Sequence, residues 1–458
     1  MDNSIYLSKK IFFEEGQTLP YEFRLRQLFK LKQHIKVNEN AIIAALKADL
    51  GKPEFEAYTA EVGIVYKEIN DAIKNLKKWM TPSKAKTPLF LQPGKSTIIP
   101  QPKGVVLIIS PWNYPFQLAM SPLIGAIAAG NCVVVKPSEE AFHTSRVIKK
   151  IIDRAFNKKY ISAVLGSGSK VIPPLIKNSE FDHIFFTGST GVGKTILSLA
   201  SDNLTSVTLE LGGKSPVIVH RDADLDLAAK RIVWAKFYNC GQTCIAPDYL
   251  LVHSSVEKEL TQKIKDYIGH FFGKDPSASP SLGRVINEKH FDRLVGLLDG
   301  LHVIHGGNSI RDKKYMAPTL IKNPPMDHPL MKEEIFGPIL PIITYEQLSE
   351  AADIIQHNPY PLSLYLFTKS GAVKAYFLNR IQFGGGCINH LIAHVANSYL
   401  PFGGVGYSGM GNYHSKYTFD AFSYYKGIYT SIGSLDHNLL YPPYTQIKLA
   451  ISKLFLSK

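Results

Sequence analysis

Cysteine is scarce in this chain, with four residues in 458, and so few thiols in so long a polypeptide supply no disulfide framework. Long apolar runs are missing as well. The strongest, Leu118 to Gly130, is broken by Ser121 and Pro122 and falls short of the ~20 residues a membrane-spanning helix needs. The first residues, Met1-Asp2-Asn3-Ser4 leading into Lys9-Lys10, contain no apolar stretch ending in a small-residue cleavage site, which argues against a secretory signal and for a cytoplasmic protein with reduced thiols. Cys240 and Cys244 have i, i+4 spacing without further Cys or His partners, and Cys132 and Cys387 lie in other contexts, so no metal site is expected. Dense basic tracts are absent too. The net charge is +14, but the Lys residues are scattered through helical stretches such as 73–78 and 146–159 with no interleaved aromatics. That is the pattern of a solvated surface, and no nucleic-acid partner is expected.

What remains is an ordinary globular composition, 45% hydrophobic and 20% charged, long enough for two or three domains. Apolar residues recur three to five apart through 20–78 (Leu25, Leu28, Leu31, Ile35, then Ile64, Ile69, Ile73, Leu76), which predicts amphipathic helices. From Lys103 short apolar runs at 104–109, 132–135, 184–186 and 207–211 alternate with helical segments; that alternation predicts βαβ units and a mostly parallel sheet. Residues 81–102, with five Pro, read as a protruding hairpin. A second alternating series follows Pro216-Val217-Ile218-Val219: a helix from Asp224 to about Tyr238, a strand near 249–253, a helix to about Phe272 and a strand at 362–367. The division falls near Gly212-Gly213, and a cleft between two domains is where ligand sites concentrate.

Two chemically promising groups lie near that division. Cys244, in Asn239-Cys240-Gly241-Gln242-Thr243-Cys244-Ile245-Ala246-Pro247, is a thiol framed by small residues and a candidate nucleophile, since the thiolate is the form that attacks carbon. Glu210, in Leu209-Glu210-Leu211-Gly212-Gly213-Lys214, is a candidate general base. Composition alone favours a buried structural role for Cys244.

Residues Gly188 to Thr195 spell GxxxxGKT after an apolar strand. This reads as the phosphate loop of a nucleotide hydrolase, with Lys194 on the terminal phosphates, or as a glycine turn that holds a dinucleotide pyrophosphate on backbone amides. The loop alone favours neither. Asn113, in Pro111-Trp112-Asn113-Tyr114-Pro115, follows the 105–109 strand, at the carboxyl edge where ligands of open α/β sheets bind; it is either an oxyanion donor or a turn-former beside two prolines. Lys136 and Glu139, in Lys136-Pro137-Ser138-Glu139, either bond ribose hydroxyls or form a polar loop.

Taken together and in order, these stretches resemble the aldehyde dehydrogenase superfamily over about residues 20–430: Pro111-Trp112-Asn113, Lys136-Pro137-Ser138-Glu139, Phe186-Thr187-Gly188-Ser189, Glu210-Leu211-Gly212-Gly213, Gly241-Gln242-Thr243-Cys244 and Glu333-Glu334-Ile335-Phe336-Gly337-Pro338. Cys244-Ile245-Ala246-Pro247-Asp248-Tyr249, Pro401-Phe402-Gly403-Gly404-Val405-Gly406, Tyr413-His414 and Leu439-Leu440-Tyr441-Pro442-Pro443-Tyr444 are most similar to its class 3 branch, which takes fatty and aromatic aldehydes. Cys240 departs from the pattern, standing where Ser or Ala is more usual, and so do His390 after Asn389 and Ser415 after His414.

The resemblance implies an α/β fold: a Rossmann-like cofactor domain (1–80 and 103–211), an α/β catalytic domain (212–387), a small β bridging and oligomerisation element (81–102 and 388–430) and a C-terminal tail (431–458). It implies a homodimer, and oxidation of a lipophilic aldehyde (fatty, aromatic or polyene) to the acid. Cys244 would be the nucleophile, Glu210 the base and Asn113 the oxyanion donor. Trp112, Lys136, Glu139, Thr187, Gly188, Ser189, Gly193, Leu211, Glu334 and Phe336 would hold the cofactor, while Tyr114 and Phe402 would wall the substrate and nicotinamide pocket. NAD is the expected cofactor, since Glu139 disfavours a 2′-phosphate without forbidding NADP. The tail from Tyr444, with Ile447, Leu449, Ile451, Leu454 and Phe455 among Lys448, Lys453 and Lys458, reads as a basic amphipathic helix that packs on its own subunit, covers the substrate tunnel or touches a membrane.

Overall fold

A computed structural model describes residues 4–431 and 438–456; the residues read for a secretory signal at 1–3, and Lys458 of the tail, lie outside the described residues. The strands predicted from short apolar runs form a six-stranded sheet in the spatial order Gly409–Met410, Ser206–Glu210, His183–Thr187, Val105–Ile109, Cys132–Lys136, Ile161–Ala163, parallel throughout except for the two-residue edge strand. Every residue of the Val105–Ile109, Cys132–Lys136 and His183–Thr187 strands is buried, as expected when helices cover both faces of a parallel sheet. The chain leaves Val105–Ile109 to build outward on both sides, so the crevice for a ligand opens beyond the carboxyl ends of this strand and His183–Thr187. The expected amphipathic helices form at Tyr21–Val37, Glu39–Leu50 and Gly63–Met80 and join the same core through Leu28, Leu31, Ile35, Ile69 and Leu76.

A second, seven-stranded sheet runs Val303–His305, Thr319–Lys322, Ile339–Tyr345, Tyr249–His253, Pro216–Val219, Ser363–Phe367, Gly385–Ile388, with only the first pairing antiparallel. The chain crosses between the sheets at 211–215, immediately after Glu210. The hairpin read at 81–102 consists of Ser83–Ala85 paired with Gly94–Pro102, and Ser423–Ser431 pairs along the whole second strand to complete a three-stranded antiparallel sheet.

Two details differ from the sequence reading. Gly409–Met410, placed with the bridging element, instead caps the cofactor sheet beside Leu209 and Glu210, and Gly385–Ile388 straddles the expected division at 387/388 as one strand of the second sheet. Both pairings are long-range, and no local pattern encodes them. The tail forms a helix, Gln446–Leu456, in which the described side chains of Ile447, Leu449, Ile451, Leu454 and Leu456 are exposed and so do not pack on their own subunit as expected; the Phe455 side chain lies outside the described residues. Among the described residues no helix is long and apolar enough to cross a membrane.

Candidate active site

The Cys244 loop is shaped by its backbone. Three consecutive residues, Asn239 (φ 52°), Cys240 (φ 55°) and Gly241 (φ 74°), are left-handed. Asn and Gly tolerate that conformation, whereas at Cys240 it costs on the order of 1–2 kcal/mol. Gly241 has no alternative, because a Cβ there would collide with the Gly337 carbonyl. Cys240 itself is buried among Val285, Leu294, Ile335 and Ile339, where it serves as a small core filler.

Beneath the loop lies a dense polar network. Asn113 Nδ2 donates to the Gln242 carbonyl at 3.0 Å. Asn239 Nδ2 donates to the carbonyls of Asn113 (2.9 Å) and Gln242 (3.1 Å). Gln242 Nε2 donates to the carbonyls of Asn239 (3.0 Å) and Arg284 (2.9 Å), while its Oε1 accepts from the Ile286 amide. Lys52, fully buried, pairs with Glu61 and donates to the Asn113 carbonyl at 3.2 Å. Its ammonium lies 4.2 Å from the Tyr114 ring centroid. The other Glu61 oxygen accepts from the amides of Phe116 and Gln117, satisfying the start of the helix Gln117–Ala129. Tyr114 Oη lies 2.6 Å from Thr243 Oγ1, and Tyr365 Oη donates to the Ile245 carbonyl at 2.7 Å, so Cys244 is clamped on both sides.

Glu210 is the opposite case. It ends the strand Ser206–Glu210 with 2% of its surface exposed, and neither carboxylate oxygen has a partner; burial alone raises its pKa well above the carboxylate range. The Cys244 thiol is likewise pushed up, first by desolvation and then by the charges of Glu334 and Glu210. Thr187, opposite Glu210 on the neighbouring strand, has a buried hydroxyl with no partner.

The remaining predicted residues gather around this point. Gly188 donates its amide to the Glu210 carbonyl at 3.0 Å, and a Cβ on it would lie 2.5 Å from the Phe186 ring. Ser189 caps the helix Thr190–Ser201. Gly193 is buried against Leu211, which a Cβ would approach to 2.6 Å, so its part is close helix–strand packing. Lys136, buried, pairs with Glu139, whose other oxygen accepts from the Gly168 amide. Burial raises the Glu139 pKa, but the Lys136 and Gly168 hydrogen bonds outweigh it and leave the carboxyl below its usual range. Desolvation lifts Glu334 to about 8, and a Cβ on Gly212 would strike its carboxylate. Its loop is held by Lys214, which pairs with Asp248 and donates to the Leu330 and Glu333 carbonyls at 2.8 Å. Phe336 meets Trp112 edge to face at 5.2 Å, joining the two sides of the crevice.

A cavity of about 370 Å³ opens at Cys244, lined by Tyr114, Leu118, Trp234, Tyr238, Ile392 and Phe402 among others. Sequence reasoning missed Lys52, Glu61, Asn239 and the Gln242 side chain. One signal was present: Glu61 and Glu68 share helical spacing with Val65, Ile69, Ala72 and Leu76, and charge on an apolar face marks a buried partner.

The hydrolase reading of Gly188–Thr195 fails. The helix starts at Thr190, which puts Gly193, Lys194 and Thr195 inside it. Lys194 is exposed over the Tyr407 ring at 5.4 Å, and the Thr195 hydroxyl donates to the Gly191 carbonyl at 3.3 Å. Neither side chain can join a phosphate cradle from there.

The family model described as "Aldehyde dehydrogenase family" matches residues 6–428. The 4,4'-diaponeurosporen-aldehyde dehydrogenase of Staphylococcus aureus is 47% identical over 441 residues, covering 96% of each chain. Aldehyde dehydrogenase family 3 member A2 of Mus musculus is 42% identical, covering 97% of this chain and 92% of the relative. The solved substrate-bound state of Staphylococcus aureus AldH superposes with a TM-score of 0.97 at 46% identity, covering 99% of this chain and all of that one (100%). With the ordered motifs, the bare buried carboxylate and the clamped thiol converging on one crevice, the chain belongs to the aldehyde dehydrogenase family.

Proposed function

We propose that this chain oxidises a lipophilic aldehyde to its carboxylic acid at Cys244, with NAD or NADP as hydride acceptor. The observation that carries the reading is the cavity at Cys244, whose walls are aromatic and aliphatic and whose polar groups are largely paired with each other. Such a wall binds chain length by apolar burial, about 0.8 kcal/mol per buried methylene. The relative named for 4,4'-diaponeurosporen-aldehyde supports the same substrate class.

The Cys244 sulfur attacks the carbonyl carbon, and the second Asn113 Nδ2 hydrogen, with the Cys244 backbone amide, holds the oxyanion of the thiohemiacetal. Burial disfavours both the thiolate and the Glu210 carboxylate, so the thiol proton must leave before attack, and an ionised Glu210, with two empty acceptors, takes a proton from the thiol or from the water that hydrolyses the thioester. A bound nicotinamide cofactor would supply the hydride acceptor that the oxidation requires. The residues present fit that cofactor: Thr187 has a free buried hydroxyl, the helix beginning at Thr190 offers amides beside an unobstructed Gly191, and Lys136, Glu139 and Glu334 supply ribose partners. Trp112, Ser189 and Phe336 flank it, while Gly188, Gly193 and Leu211 set the packing that lets it approach.

The test is a series of aldehydes of increasing chain length assayed with NAD and with NADP. A kcat/KM that rises with length until the cavity is filled supports the reading, and a preference for the shortest aldehydes would sink it.

We also propose the division into cofactor (1–80, 103–211), catalytic (212–387), bridging (81–102, 388–430) and tail (431–458) units, except that Ile388 goes with the catalytic sheet and Gly409–Met410 with the cofactor sheet. A homodimer forming through the bridging sheet is supported by Tyr424, Tyr425, Ile428 and Tyr429, exposed on its long strand, and sedimentation should give twice the chain mass. Peripheral membrane contact through Gln446–Leu456 is supported by its exposed apolar side chains with Lys448 and Lys453; deleting 445–458 should abolish binding to anionic liposomes.

A further inference from the structure

Two acids five residues apart, Glu56 and Glu61, lie on the helical stretch whose Phe55, Thr59, Ala60 and Ile64 line the cavity at Cys244. Five residues along an α-helix turn two side chains roughly 140° apart, so the pair should look in different directions. The backbone prevents that. Between the helices Glu54–Ala57 and Gly63–Met80, residues Tyr58–Val62 form one π-helical turn, closed by a bond from the Gly63 amide to the Tyr58 carbonyl five residues back. The wider turn takes in one more residue and brings side chains at i and i+5 toward the same face.

Both carboxylates are buried, and both reach the support of the catalytic loop. Glu61 serves the Asn113 side, through Lys52 and the Phe116 and Gln117 amides. Glu56 reaches the nucleophile loop itself, where its Oε2 accepts the Asn239 amide at 3.0 Å. That amide opens the left-handed run Asn239, Cys240, Gly241. The Asn239 side chain is held separately by the carbonyls of Asn113 and Gln242, whereas the Glu56 bond ties the backbone of the strained run to another helix. Burial pushes the Glu56 carboxyl up to about 7 against the pull of the Asn239 amide and the Lys52 ammonium, so an acid is retained here at a real desolvation cost.

We infer that Glu56 is a positioning residue for the nucleophile: by accepting the Asn239 amide it holds the left-handed entry to the Cys244 loop, and the π-helical turn is the local device that aims it there. This rests on Cys244 being the nucleophile. Non-glycine residues held at positive φ return to the right-handed region when their restraint is removed, and the thiol five positions on then loses its alignment with the carbonyl carbon. Misplacing a reacting group by about 1 Å is enough to lower a rate about a hundredfold.

The experiment compares three substitutions that separate reach from charge. Glu56→Gln keeps an oxygen within reach of the amide and loses the charge, Glu56→Asp keeps the charge and falls one methylene short, and Glu56→Ala loses both. Each is read by the single-turnover rate of NADH formation with one aldehyde, by NAD affinity, and by amide hydrogen exchange over 238–245. Glu56→Ala and Glu56→Asp should slow the single turnover by about 10- to 100-fold, speed exchange in that segment and leave NAD affinity unchanged, and Glu56→Gln should stay near the wild type in all three. If Glu56→Ala does not fold, the contrast between Asp and Gln carries the test. A wild-type rate in Glu56→Asp, a Glu56→Gln enzyme as slow as Glu56→Asp, or slowing without faster exchange in 238–245 would each overturn the inference. Aldehyde turnover surviving Cys244→Ala would instead overturn the nucleophile reading.

Discussion

Glu61 and Glu210 are both buried carboxylates near one reaction centre, and they live in opposite surroundings. Glu61 pairs with Lys52 and accepts two backbone amides, whereas Glu210 has no hydrogen-bond partner at either oxygen. The first arrangement spends every acceptor on holding Asn113 and the Cys244 loop in place. The second leaves both acceptors for a proton. A buried polar group that is fully satisfied rigidifies a site, and one that is left bare is destabilised until chemistry relieves it.

Substitutions can break that contrast. Cys244→Ala should have the largest effect, lowering aldehyde-dependent cofactor reduction on the order of 10⁴-fold or more, read as the rate of NADH appearance, with the fold unchanged by circular dichroism. Glu210→Gln should lower steady-state turnover by roughly a thousandfold while the acyl-enzyme remains observable by intact mass; unchanged turnover with no thioester would reject Glu210 as the base. Glu61→Ala acts on the other side of the comparison. It strands the buried Lys52 and uncaps Phe116 and Gln117, and should cost about 3–5 kcal/mol of stability in chemical denaturation, with any activity loss appearing alongside unfolding.

Asn113→Ala should cost about a hundredfold in kcat with little change in stability, because Asn239 continues to hold the Gln242 carbonyl. The smallest effect is on pH. Cys244 and Glu210 both act deprotonated and both are shifted upward by burial, so the fraction in the reactive form grows as pH rises; kcat/KM should climb by up to tenfold per unit from neutral into the alkaline range. A profile falling over that range would mean that neither proton is limiting.

Much of this site was legible before any coordinates. Asn113, Lys136, Gly188, Glu210, Cys244 and Glu334 each end or follow a strand or occupy a turn whose sequence pattern is local, and their order along the chain was enough to identify the family. The supporting set was not legible in the same way. Lys52 and Asn239 are polar residues in unremarkable stretches, and only long-range contact, 61 positions from Lys52 to Asn113 and 126 from Asn113 to Asn239, gives them a function. Glu61 sat on an apolar helical face as a warning without naming its partner. The glycine loop stayed ambiguous for the same reason: GxxxxGKT permits two turns, and the start of the helix at Thr190 decided between them.

The sequence by itself determined the alternation of strands and helices, the parallel sheets and which residues are proposed as nucleophile, base and oxyanion donor, because each depends on local periodicity or on residue type. The tertiary structure decided which carboxylate is satisfied and which is bare, and where the edge strand Gly409–Met410 pairs. Those properties depend on desolvation and on partners far apart in the chain, and neither exists until the chain has packed.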